Sequence, residues 1–212
     1  MHNNAALTTT ESRYIMSFTA GALLYQESLK VARLYEDVGD WQAVRAQVMD
    51  DNLLQMRTPS AAKRIFWEVA SRLKHLAPAQ LALLYTGARQ EQNHILWLAI
   101  CKRYRFIYDF AVEVVREKFI RLDFVLSYDA FDVFFNNKAE WHPEVQGLAE
   151  STRKKLREVL FKMMREANLL TPDKQILPAL PTPRVIDAIA ADSPSYLLAF
   201  PISTTEIQEW LS

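Results

Sequence analysis

At 212 residues, half of them hydrophobic, the chain can bury one large core or two small ones, which excludes an intrinsically disordered polypeptide. Its 25 Lys and Arg balance 25 Asp and Glu, so no global field draws it to a polyanion and any such attraction needs locally segregated charge. The one cysteine, Cys101, excludes an internal disulfide and fits a reducing compartment, where a small buried thiol is its expected role.

Residues 1–12 lack the basic start and apolar core of a secretion signal and read as a polar, disordered tail of a cytoplasmic protein. With four glycines and apolar residues recurring at spacings of three and four, the rest reads as mainly α-helical. A first helix is expected from about Ala20 to Asp37, with Leu23, Leu24, Leu29 and Leu34 inward and Gly39 as its stop. Asp40 caps a second helix through Trp41, Val44 and Val48 to about Asn52. Thr58 and Pro59 have the N-cap and first-turn chemistry of a third, with an apolar stripe of Ile65, Phe66, Val69, Leu73 and Leu76. Pro78 opens a fourth that ends near Gly87. A long helical stretch from about Gln90 to Arg121 is expected to break near Arg105. Its apolar run, Ile95 to Cys101, stops at Lys102 and Arg103, far short of the ~20 residues that span a bilayer, so no membrane association is expected. Ser127 caps a helix carrying Phe131, Phe134 and Phe135.

The pattern loosens at Asn136-Asn137-Lys138 and His142-Pro143, which places a soft boundary between an N-terminal helical domain over 13–138 and a C-terminal one over 139–212. The first contains a helix-turn-helix-like pair. The second opens with a short helix, Pro143–Leu148, and a tight Glu150-Ser151 turn. A longer helix follows with Leu156, Val159, Leu160 and Met163 inward, then a turn from Thr171 to Gln175 and an extended segment to Leu180. That order is the order of a winged-helix-like module with a small β-hairpin. Arg184 to Ala191 reads as a closing helix, and Ile207, Trp210 and Leu211 as residues that dock back.

Basic residues cluster where two of these helices begin, in Thr58-Pro59-Ser60-Ala61-Ala62-Lys63-Arg64 and in Ser151-Thr152-Arg153-Lys154-Lys155. A cation in the opening turn costs roughly 0.3–1 kcal/mol unless an anion offsets it, so both clusters point to a polyanion. Helix N-termini bind phosphate, and helix-turn-helix proteins present that end of the second helix to DNA. The candidate contacts are Arg57, Thr58, Ser60, Lys63 and Arg64 in the first cluster. In the second they are Ser151, Thr152, Arg153, Lys154, Lys155 and Arg157, with Lys174 in the turn expected to form the wing. The competing reading has Arg64 paired with Glu68, and the later lysines with Glu150 and Glu158, on solvated faces. Three consecutive cations make the second cluster the expected stronger contact. Reversing Arg153, Lys154 and Lys155 to Glu is expected to stabilise the fold slightly, because carboxylates suit a helix start. A third basic group, Lys102-Arg103-Tyr104-Arg105, has the mixture of a single-strand stacking platform, although Tyr104, Phe106 and Tyr108 read as core or boundary.

Enzyme chemistry has little to rest on. Asp123, Asp129 and Asp132 could in principle gather a divalent metal, as a nuclease would need, but Asp129 reads more simply as favourable charge in the first turn after Ser127. His2, His75, His94 and His142 lack zinc-ligand spacing, and neither a phosphate-cradling glycine loop nor a Gly-x-Ser-x-Gly elbow is present. No catalytic residue, metal or cofactor is expected, and Trp41, Trp67, Trp97 and Trp141 read as core or interface.

Taken in order, Tyr14-Ile15-Met16-Ser17-Phe18-Thr19-Ala20-Gly21-Ala22-Leu23-Leu24, Glu27-Ser28, Asp40-Trp41, Asn52-Leu53-Leu54-Gln55, Arg57-Thr58, Ser60, Lys63-Arg64-Ile65, Arg72-Leu73, Ser151-Thr152 and Glu166-Ala167-Asn168-Leu169-Leu170 resemble the BrxA family. These are small proteins encoded in BREX bacteriophage-defence systems. The resemblance implies a bacterial cytoplasmic protein that works beside a methyltransferase, an ATPase and other defence factors and has no established catalysis of its own. It also implies nucleic-acid binding, since the family has been likened to NusB-type RNA-binding antiterminators and regarded as DNA-binding. The resulting expectation is a non-enzymatic protein that holds double-stranded DNA largely through phosphates, with low sequence specificity. An RNA-binding, antitermination-like role and a protein–protein adaptor within the defence assembly are the alternatives.

Overall fold

Local capping chemistry sets several of the helix boundaries in the computed structural model, which describes residues 13–212. The tail expected over 1–12 lies outside the described residues. Helix α1 (Tyr25–Val38) ends where Gly39 takes a left-handed φ of 72° and its N–H closes on the Tyr35 carbonyl. The Asp40 carboxylate then accepts from the N–H groups of Gln42 and Ala43 to open α2 (Trp41–Asp50). Thr58 Oγ1 accepts from Ala61 N, with Pro59 as the first residue of α3 (Pro59–Leu73). The one large departure is at the start of α1. Gly21 and Leu24 have φ of 83° and 55°, so the stretch before Tyr25 runs as an irregular strap rather than as helix from Ala20.

Helices α4 (Pro78–Thr86) and α5 (Arg89–Arg103) follow, and α5 is buried from Glu91 through Cys101. The apolar run around Ile95 is therefore the centre of the core. Tyr104 leaves helical geometry and breaks the long stretch beside Arg105, as expected. Beyond it lie α6 (Arg105–Phe110), a π-helical turn (Ala111–Arg116) and α7 (Glu117–Ile120). Among the described residues no helix is long and apolar enough to cross a membrane. Ser127 caps α8 (Tyr128–Ala139), whose Phe134 meets Phe106 and Phe110 with ring centroids 5.1 and 5.3 Å apart.

The last third holds α9 (Pro143–Gln146) and α10 (Glu150–Glu166), with Leu156, Val159, Leu160 and Met163 buried as expected. The hairpin is reduced to a single isolated antiparallel bridge, with a second bridge joining Gln175 to Val125 outside it; Leu170 and Ile176 form the first. Between them Lys174 N–H donates to the Thr171 carbonyl at 3.0 Å and closes a tight turn. Pro178 lacks an N–H donor, so no ladder extends along the segment expected to be extended. Its other neighbour comes from before α8: Ile176 N–H donates to Phe124 O and Leu126 N–H to Lys174 O, at 2.7 and 2.9 Å.

Residues beyond Leu180 fold back on α4, α5 and the π-helical turn. Helix α11 (Pro183–Ala190) packs on α4 and α5, and a 3-10 turn (Pro194–Ala199) presents the Ala199 carbonyl to Trp97 Nε1 at 2.9 Å. Helix α12 (Thr204–Leu211) buries Ile207, and Arg116 donates to Thr204 Oγ1 at 3.0 Å. One cluster of buried apolar side chains runs from Tyr14 to Ile207, continuous across the 138/139 division drawn from the sequence.

His94 in α5 lies edge-on to Phe200, and loss of hydration lowers its pKa from 6.5 to about 4. The unfolded chain takes up a proton near pH 6.5 that the folded one refuses until about pH 4, so stability should fall as pH drops through that interval. The loss should be on the order of 3 kcal/mol. Urea midpoints at pH 7 and 4.5 measure it. His94→Phe, which cannot charge, should reduce the difference.

Candidate nucleic-acid interface

Helix α3 turns Ala62, Phe66, Val69, Ala70 and Leu73 to the core, which leaves Ser60, Lys63, Arg64 and Trp67 exposed on the other side. Arg57 and Thr58 before it and Lys74 after it are exposed too. The helix's single acid is turned inward. Glu68 is 8% exposed, ion-paired with Arg72 at 2.8 Å and accepting from the Tyr104 hydroxyl at 2.5 Å. Burial, and then Glu68 itself, push the Tyr104 pKa well up, so the phenol stays protonated and donates. The pairing of Arg64 with Glu68 weighed from the sequence does not form. Among the described residues Arg57, Lys63, Arg64 and Lys74 take part in no ion pair.

Helix α10 is arranged differently. Its first residue is Glu150 and its N-cap Ala149, so the Glu150-Ser151 turn expected from the sequence is the helix's own first turn. Arg153 Nε donates to Asp132 Oδ1 at 3.1 Å and its Nη2 to the Asp132 carbonyl at 3.2 Å, while Arg157 pairs with the other carboxylate oxygen. The two guanidiniums also lie 4.9 Å from the Phe135 ring and 4.6 Å from that of Tyr128. Both side chains are under one-fifth exposed, and they tie α8 to α10. Lys154 and Lys155 reach Glu150 and Glu158, each at 3.7 Å, in pairs more than half exposed. Such pairs are loose, worth about 0–1 kcal/mol. Ser151 is exposed, Thr152 half-buried, and Lys174 Nζ sits 4.4 Å from the Tyr128 ring centroid.

Neither helix, then, has a cation among its first three residues. The macrodipole conflict read from the sequence is absent, and what distinguishes α3 is a lateral face with unneutralised charge. The three aspartates do not gather either. Asp132 holds Arg153 and Arg157, and Asp123 pairs with Lys118. Among the described residues no three His, Cys, Asp or Glu form a group able to hold a metal. Cys101 is buried, and loss of hydration raises its thiol pKa.

The ties to Asp132 reverse one expectation. Arg153→Glu would set a carboxylate beside Asp132 in place of its cationic partner, so the triple Glu variant of Arg153, Lys154 and Lys155 should lose stability rather than gain it. A loss of about 1–2 kcal/mol, or roughly 2–8 °C in Tm, is expected from Arg153→Glu alone. Thermal melts should show Lys154→Glu with Lys155→Glu unchanged within about 2 °C. Sequence reasoning missed Arg45 of α2, exposed and, among the described residues, in no ion pair, and the exposure of Trp67 between the cations of α3. The legible signal was the acid-free stripe Ser60, Lys63/Arg64, Trp67, Ser71, Lys74 at helical spacing.

Among solved structures, the crystal structure of an uncharacterized protein from Magnetospirillum magneticum superposes with a TM-score of 0.76 at 20% identity, over 89% of this chain and 97% of that one. The two share a fold. In sequence, the chain is 26% identical over 171 residues to BREX protein BrxA of Escherichia coli O9:H4 (strain HS), covering 80% of either chain. It is 28% identical over 164 residues to BREX protein BrxA of Bacillus cereus (strain H3081.97), covering 77% of this chain and 82% of that one. The BrxA family model matches residues 12–193, the greater part of the length, and the chain therefore belongs to the BrxA family.

Proposed function

We propose that the protein is a non-enzymatic DNA-binding component of a BREX phage-defence system in the bacterial cytoplasm. It holds duplex DNA mainly through phosphates, with low sequence specificity, and works with other BREX proteins. The observation that carries this reading is the α3 face, where Arg57, Lys63, Arg64 and Lys74, joined by Arg45, stand without a carboxylate in a chain of zero net charge. Outside any ion pair among the described residues, these cations make the local field that composition withholds from the molecule as a whole. In this reading α2 and α3 act as the helix-turn-helix-like pair with α3 on the duplex. Helices α9 and α10, with the turn at Thr171–Lys174, act as the winged-helix-like module and a secondary contact. Low specificity suits a face whose exposed groups on and beside α3 are Arg57, Thr58, Ser60, Lys63, Arg64 and Lys74, cations and hydroxyls of the kind that contact phosphates.

Mobility shifts with duplex DNA, single-stranded DNA and RNA at a series of salt concentrations test it. With about five phosphates neutralised, the slope of log affinity against log salt should be roughly −4.5 on duplex DNA. No binding at low salt, or a slope near zero, would sink the proposal, and preference for single-stranded RNA would put the antitermination-like role in its place.

A further inference from the structure

Helices α2 and α3, with Arg103 at the end of α5, line an open pocket of about 520 Å³, a size typical of small-molecule sites. Its walls include Trp41, Trp67 and Phe66, its charged groups are Arg45, Lys74 and Arg103, and no carboxylate lines it. Trp41 is held in place by stacking on Tyr35, with centroids 4.1 Å apart and planes at 21°. Lys74 Nζ lies 5.4 Å from the Trp41 centroid, which holds that cation at the aromatic wall. Trp67 is left 55% exposed on the lip, an aromatic surface bare to water amid cations. Arg103 Nε is shielded from solvent and has no hydrogen-bond partner among the described residues. His75, also in the wall, has its pKa lowered by lost hydration and then by the fields of Arg103 and Lys102, which marks the region as electropositive.

Flat apolar walls, a rim of cations and no acid complement a planar aromatic ring that carries negative charge. We propose that this cavity takes one unstacked nucleotide of a bound DNA strand, its base against Trp67 and Trp41 and its phosphate on Arg45, Lys74 and Arg103. The proposal rests on the DNA-binding reading and deepens it: the duplex lies along the α3 face, and a nucleotide that leaves the stack enters beside it. A free nucleotide offers the same chemistry, so the test separates the two sources.

The test uses fluorescence anisotropy with three labelled DNAs, a perfect duplex, the same duplex with one bulged adenine, and the same with the bulged position abasic. AMP is titrated separately. Stacking one base on an aromatic side chain should make the bulged adenine duplex about tenfold tighter than the perfect one. The abasic bulge, equally flexible, should lose that advantage, Trp67→Ala should abolish it and Trp67→Phe restore most of it. Thermal melts confirm that these variants at a half-exposed position keep the fold. Equal affinity for bulged and perfect duplexes, or an advantage that survives Trp67→Ala, overturns the proposal. AMP binding lost in Trp67→Ala without any bulge preference overturns it too, and assigns the pocket to free nucleotides. The two readings fail separately. Salt-dependent binding of perfect duplex with no bulge preference removes only the pocket, whereas Trp67-dependent binding of the bulge with no affinity for perfect duplex removes the duplex reading and leaves the pocket.

Discussion

Reversing Lys63 and Arg64 to Glu should weaken duplex binding roughly 30- to 150-fold, whereas reversing Lys154 and Lys155 should cost less than about fivefold. Each lost charge-assisted contact is taken as about 1–1.5 kcal/mol, near the low end for bonds to ions because this face is open to water and salt. The inequality comes from what the lysines and arginines do before DNA arrives. Lys63 and Arg64 have no carboxylate to leave, so their charge is available in full. Lys154 and Lys155 already share theirs with Glu150 and Glu158, and Arg153 and Arg157 are committed to Asp132. The Lys63→Glu, Arg64→Glu variant should also flatten the salt slope by roughly 1.8, about 0.9 for each phosphate contact removed. Titration of both double variants against one duplex at fixed salt decides the ranking. A larger loss from the α10 pair would return the main contact to the C-terminal module.

That ranking inverts the one expected from sequence, and the reason lies in two carboxylates. Glu68 has an arginine four residues to either side, Arg64 and Arg72. The order acid-then-base at this spacing is the more favourable on a helix, so the sequence held a signal for Arg72. Tertiary structure completes the choice, because Tyr104 and the Ala22 carbonyl meet the same buried pair. Asp132 offered no such signal. It reaches Arg153 and Arg157 across two helices and a turn, and no local spacing encodes that reach. What was legible were features whose physics is local: the caps at Asp40, Thr58 and Ser127, the stop at Gly39, and the break beside Arg105. Less legible were elements that depend on partners far along the chain. The strap before α1 is tied by Leu23 N–H to Glu166 at 2.8 Å and by the Tyr14 hydroxyl to Asp109 at 2.7 Å. The turn after α10 finds its neighbour at Phe124 and Leu126, on the other side of the sequence boundary.

Glu68→Ala should be among the most destabilising single substitutions in the chain, at about 3–5 kcal/mol, and should lower Tm by roughly 6–20 °C. Removing the carboxylate leaves the Arg72 guanidinium, 2% exposed, as a buried charge without its counter-ion, and strips the Tyr104 hydroxyl of its acceptor. Glu68→Gln keeps an oxygen for both donors and should lose only about 1–2 kcal/mol. Replacing the pair together, Glu68→Leu with Arg72→Leu, removes both charges, a change that is often neutral where an ion pair serves only itself. Here Arg72 Nη1 also donates to the Ala22 carbonyl at 2.7 Å, so the double variant would orphan that carbonyl and release the strap. It should therefore remain destabilised, and the strap's amide hydrogens around Ala22 and Leu23 should exchange faster than in Glu68→Gln. Thermal melts of the three variants with hydrogen exchange over the strap measure this. A double variant as stable and as protected as the parent would show that the pair is not what holds the strap to α3. The consequence reaches the proposed DNA-facing side, because the pairing that commits Glu68 to Arg72 and Tyr104 is also what leaves Arg64, one turn away, outside any ion pair among the described residues.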